Sequence, residues 1–224
     1  QRFIGDFKDE ENRDDSYKIA VLGDSFVEGY QVFQRNHFTA YIEKSFNSLS
    51  EKKIKVLNFG RSNFNLSNMY AYEVLFVDSF VPDKILYFLS LDDFSEEITD
   101  PLLPKTILAD TLQINIIADK NYYKKYMLTK SILQKSHLIY MFNKCRKKST
   151  ENGFFNTLLD LKPKKNKVIA EKFDFTELSR QIFHKLDKEK TLIVWRDKIE
   201  MPSELQTFFK NESLRYIDLY PVFE

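Results

Sequence analysis

Apolar positions along the chain follow two alternating rhythms. Lys18-Ile-Ala-Val-Leu22 is a short apolar run stopped by Gly23-Asp24-Ser25, the pattern of a buried strand ending at a tight turn. From about 37 to 49 the spacing lengthens: Phe38, Tyr41, Ile42, Phe46 and Leu49 recur every three or four residues and predict a helix. Lys55-Val-Leu-Asn-Phe59 predicts a second strand, closed by Gly60. Asn65 or Ser67 can cap a third element, in which Met69, Tyr72, Leu75, Phe76 and Phe80 repeat helically until Pro82-Asp83 break it. Lys84–Ser90 reads as a third buried strand. Near the end the rhythm returns, with a helix over about 174–188 that Asp174 and Glu177 would open as a capping box. Thr191-Leu-Ile-Val-Trp195 is then a strand, about 202–210 a helix, and Arg215–Leu219 a fifth strand. Strands alternating with helices through short connections predict βαβ units and a parallel sheet. The fold class is therefore α/β: a three-layer α/β/α sandwich around a five-stranded parallel sheet, as one domain over 1–224.

The stretch 96–170 interrupts this rhythm and reads as an insertion between the third and fourth strands. It holds a short hairpin signal at Leu112–Ile117, turning near Asp119-Lys120, and an amphipathic helical pattern over about 122–147. Two basic clusters, 144–148 and 162–167, read as a solvated face, with an anionic glycan, a lipid headgroup or a partner as the sharper alternative.

Composition narrows the function classes. With 34 basic against 33 acidic residues, no global field recruits nucleic acid or an anionic membrane. No apolar run approaches the roughly 18 residues of a spanning helix. The single Cys145 sits among cations that favour a thiolate, but no neighbouring His offers a base, so it reads as an ordinary helix-end thiol. No Cys/His/carboxylate cluster has zinc spacing and no Gly-rich phosphate loop occurs, so no cofactor is expected. Asp92-Asp93 with Glu96-Glu97 fits an acid-rich helix start better than a cation site.

Ligands of open α/β sheets bind outside the carboxyl ends of the strands. Gly23-Asp24-Ser25, Gly60 and Ser90-Leu-Asp-Asp93 all fall there. A Ser between a strand and a helix can attack a carbonyl while its own N–H stabilises the oxyanion. The same three residues also suit an ordinary turn, and a flavodoxin-like binding fold is the structural fallback.

Ile19-Ala-Val-Leu-Gly-Asp-Ser-Phe-Val-Glu-Gly29 resembles the first signature block of the SGNH (GDSL) hydrolases, and Val56-Leu-Asn-Phe-Gly60 resembles the second. The run Tyr70–Leu91 is similar too, and the insertion is similar to the variable region of a bacterial subfamily associated with cell-surface polysaccharides and their acyl groups. The resemblance implies an SGNH-type esterase or acyl-transfer domain acting on a small-molecule or glycan ester. Ser25 would be the nucleophile, and the N–H groups of Ser25 and Gly60 would hold the oxyanion. Members of that subfamily often work outside the cytoplasm behind an N-terminal anchor, which here would precede Gln1, and the lone Cys145 suits a cytoplasmic or an exported protein equally.

Two departures from the family pattern bear on activity. The third block, normally Gly-x-Asn-Asp, reads Ser90-Leu91-Asp92-Asp93, so Asp92 stands where an Asn amide donates to the oxyanion. An ionised carboxylate only accepts, so Asp92 must be protonated, with Asp93 beside it favouring one shared proton, or turned away. The fourth block, Asp-x-x-His, is expected shortly after Tyr216–Phe223, where the sequence stops at Glu224. Either a base lies beyond Glu224, or the chain is a catalytically silent module that binds a glycan or a protein partner. His37, His137 and His184 are the only histidines and read as packing or surface residues, with His137 the least implausible substitute base.

Overall fold

Five parallel strands in the order β2-β1-β3-β6-β7 make the central sheet of the computed structural model, which describes residues 15–29, 32–95, 103–109, 112–118, 173 and 175–223. The strands are β1 (Tyr17–Leu22), β2 (Ile54–Asn58), β3 (Lys84–Leu89), β6 (Thr191–Trp195) and β7 (Arg215–Asp218). Every pairing is parallel, from Ile19 opposite Val56 on one side of β1 to Trp195 opposite Asp218 at the other edge. Helices α1 (Ser25–Glu28), α2 (Phe38–Leu49), α3 (Leu66–Leu75), α4 (Glu177–Lys185), α5 (Ser203–Asn211) and α6 (Tyr220–Phe223) connect or follow them. All described residues belong to one compact unit. Among them, no helix is long and apolar enough to cross a membrane.

The strand order places the site. From β1 the chain moves outward to β2, then crosses back to β3 on the other side of β1. The crevice between the carboxyl ends of β1 and β3 is thus a topological switch point. Central strands are buried on both faces and read as continuous apolar runs, with Ala20, Val21, Leu22, Tyr87, Leu89, Ile193 and Trp195 fully buried. Edge strand β7 alternates instead, leaving Ile217 exposed.

Several local expectations are corrected. Helix α3 ends at Leu75 rather than running to Phe80; a 3-10 turn, Val77–Phe80, carries the chain on to Val81 at φ 50, just ahead of Pro82. Asn65 is its cap, in a reciprocal box with Asn68. Helix α4 starts at Glu177 with Thr176 as cap, its Oγ1 accepting from the Ser179 N–H, so Glu177 is a first-turn residue, and Asp174 lies outside the described residues. A strand does form within Leu112–Ile117, but the partner found for it precedes it in the chain, and the turn expected near Asp119-Lys120 lies outside the described residues. Strand β5 (Ile114–Ile117) pairs antiparallel with β4 (Lys105–Leu108), and the Ala109 N–H donates to the Gln113 carbonyl to close the turn. Four residues after Pro104 are too few to show a period. What fixes β4 is Thr106, which exchanges three hydrogen bonds with Ser67 at the start of α3. The helical stretch expected at 122–147, Cys145, His137 and both basic clusters lie outside the described residues.

One buried carboxyl is part of this core. Glu73 of α3 accepts a hydrogen bond from the Tyr87 hydroxyl of β3, and both side chains are shielded from water. Burial pushes Glu73 up to about 7, aided by the charges of Asp78 and Asp187 and opposed by the Tyr87 hydrogen bond.

Candidate active site

The first loop of the site is a strand, a turn and one helical turn. Asp24 is the N-cap of α1, its Oδ1 accepting from the Phe26 N–H at 2.8 Å. Gly29, at φ 55, ends the helix in the left-handed region and returns its N–H to the Ser25 carbonyl. Capping is thus done by Asp24 and termination by Gly29. Ser25 does neither: its side chain is exposed and its hydroxyl has no hydrogen-bond partner among the described residues. Turn chemistry accounts for Asp24 but leaves Ser25 without a structural task.

Gly60 lies where the loop after β2 passes under α1. A Cβ there would come within 2.4 Å of the Glu28 nitrogen and the Val27 carbonyl carbon, so close backbone approach alone demands glycine. Its N–H donates to Asn58 Oδ1 at 2.8 Å, while Asn58 Nδ2 donates to the Val27 carbonyl at 2.8 Å. The Arg61 N–H donates to the Gly23 carbonyl, and Glu28 accepts from both the N–H and the hydroxyl of Ser62. These bonds lock the first and second loops together.

The third loop brings in the residues that sequence reasoning missed. Of the adjacent aspartates, Asp92 is exposed and Asp93 is the buried one. Asp93 Oδ2 accepts from the N–H and the hydroxyl of Ser90, at 2.7 and 2.9 Å. Burial pushes Asp93 up to about 7, with the Asp24 charge adding to the rise; the Arg196 cation and the Ser90 bonds oppose it. Burial thus favours the protonated form at Asp93, while the Asp92 side chain is turned out to solvent. Arg196, directly after β6, pairs as a cation with Asp24, Nη2 lying 2.7 Å from Oδ2, and donates from Nη2 to Ser90 Oγ at 3.2 Å. The Phe26 ring lies over its guanidinium at 5.1 Å. Both residues were readable: Ser90-x-x-Asp93 is a capping-box spacing, and Arg196 follows a predicted strand just as Gly23 and Gly60 do.

Neither described histidine touches Ser25. His37 is buried as the N-cap of α2, where Nδ1 accepts from the Thr39 N–H and lies 2.7 Å from its hydroxyl; burial holds its pKa below the ordinary value. His184 pairs with Glu212 at 3.1 Å. Among the described residues no group of three His, Cys, Asp or Glu is placed to hold a metal. A cavity of about 370 Å³ opens beside Asp93, walled by Leu66, Phe94, Ile107 and Ile182, with Lys105 also lining it.

No protein-family model matches the sequence, and no curated protein matches it. Among solved structures, the lipase/acylhydrolase from Enterococcus faecalis is similar over 92% of this chain and 77% of its own, at 13% identity and a TM-score of 0.44. AlinE4, described as an SGNH-hydrolase family esterase, is similar over 91% of this chain and 76% of its own, at 12% identity and a TM-score of 0.39. TesA is similar over 34% of this chain, at 17% identity and a TM-score of 0.31; the chain spans only 42% of TesA's length. The α/β fold class rests on the strand order described above.

Proposed function

We propose that this chain is an SGNH-type serine esterase or acyl-transfer domain with Ser25 as its nucleophile. One observation carries the reading: an exposed hydroxyl with no structural task stands at the switch point of a parallel sheet, inside a sequence block resembling the family's first. Ser25 Oγ would attack the ester carbonyl, and the first-turn N–H of Ser25 would stabilise the oxyanion. Gly60 would be the second donor once the Asn58 amide swings off its N–H. Asp92, exposed on the neighbouring loop, would stand at the family's third donor position, where an ionised carboxylate would supply no donor. The proton acceptor for Ser25 would come from outside the described residues. The substrate class we favour is an acylated carbohydrate or similar small ester, with no cofactor.

The engaged Gly60 N–H and the lack of a histidine beside Ser25 among the described residues favour a second reading, a silent module that binds a glycan or a protein partner. Turnover separates the two. The full chain should hydrolyse p-nitrophenyl acetate, and Ser25→Ala should lower kcat/KM by at least roughly 10³-fold. Equal rates for the two proteins would remove Ser25 from the chemistry.

A further inference from the structure

Three loops from three strand ends meet at a single nitrogen. Arg196 Nη2 forms an ion pair with Asp24 Oδ2 at 2.7 Å and donates a hydrogen bond to Ser90 Oγ at 3.2 Å. Asp93 Oδ2 lies 3.7 Å from the same nitrogen, close enough to feel the charge but beyond hydrogen-bond distance. The guanidinium is mostly buried, and its Nε–H has no hydrogen-bond partner among the described residues.

We propose that Arg196 is a positioning residue for the Ser25 turn, and that loss of the proton on Asp93 loosens its grip on Asp24. Asp24 uses one oxygen to cap the Phe26 N–H and the other to hold Arg196, so a shift of Arg196 is transmitted to the residue beside Ser25. With Asp93 neutral, Asp24 is the only carboxylate drawing on Nη2. Ionised Asp93 competes for that cation and repels Asp24. Ser90 links the two, accepting from Arg196 while donating its hydroxyl to Asp93. The turn is therefore held most tightly while Asp93 is protonated and Asp24 ionised, and it loosens as pH rises through the Asp93 titration, which burial brings to about 7.

The charged groups around Asp93 come from every neighbouring element. Asp24 faces it from the β1–α1 turn and Arg196 from the end of β6. Asp197 accepts from the Leu91 N–H in the same loop as Asp93, and Lys105 and Glu177 line the adjoining cavity. Other than Asp93, only Asp24, Asp197 and Glu177 carry carboxyl groups among these, and no histidine is present.

The importance of this clamp for chemistry rests on reading Ser25 as the nucleophile, but its existence does not. The test therefore uses the full chain without substrate. Amide and side-chain carboxyl resonances would be followed from about pH 5 to 9. The Asp93 carboxyl and the Ser25 and Phe26 amides should titrate with a common midpoint near 7. Asp93→Asn should abolish the amide response, and Arg196→Met should do the same while raising the Asp93 midpoint. A Phe26 amide that is flat in the native protein, or that titrates unchanged in Asp93→Asn, overturns the proposal. If Asp93→Asn fails to fold, the native protein decides: different midpoints for the Asp93 carboxyl and the Phe26 amide refute the coupling. Failure of Ser25→Ala to slow ester turnover would instead count against the nucleophile and leave these resonances untouched.

Discussion

Replacing Glu73 by Gln is expected to stabilise the protein at pH 8 by up to about 3 kcal/mol, with little gain at pH 4. Glu73 titrates at about 7 when folded, against an ordinary value of 4.5. An acid raised in this way binds more protons in the folded state than in the unfolded state between those values. Its contribution is therefore present in full below 4.5, is lost progressively as pH rises through 7, and stays lost above. Gln keeps an oxygen for the Tyr87 hydroxyl and carries no charge to bury. Urea unfolding of both proteins across this pH range checks it. A stability difference that does not depend on pH would mean that burial of the Glu73 charge is not what costs stability.

Gly60→Ala is expected to destabilise the protein by about 3 kcal/mol or more, because the new methyl meets backbone atoms at 2.4 Å rather than a side chain that can turn aside. For a chain of this size that lowers Tm by about 6–12 °C. A melting temperature unchanged within error would show that α1 can lift off the loop after β2. The prediction also bears on function. If Gly60 is required by packing, lost activity in Gly60→Ala says nothing about an oxyanion donor, and that role has to be tested without changing the residue.

The strands were legible wherever burial was uniform. Leu192–Trp195 and Ile19–Leu22 are uninterrupted apolar runs bounded by turn signals, the pattern of a short strand buried on both faces. The β4–β5 pairing was not legible, since four-residue strands show no period and β4 is held in place by Thr106 bonding to Ser67, 39 positions away. The site was half legible. Ser25, Gly60 and the Ser90–Asp93 loop could be placed because each follows a strand of a parallel sheet. Which of two adjacent aspartates points inward depends on the turn at Leu91–Phe94, and the meeting of Asp24, Asp93 and Arg196 depends on the strand order. Composition carries neither.

The central claim is that Ser25 is a nucleophile rather than a turn residue. Incubating the full chain with a fluorophosphonate ester and measuring its intact mass tests this most directly, because the adduct reports attack by a particular atom. The account predicts one phosphonyl group per chain, located to the peptide carrying Ser25, and none on Ser25→Ala. A protein that turns over esters while its Ser25 stays unlabelled, or that is labelled equally after Ser25→Ala, would contradict it.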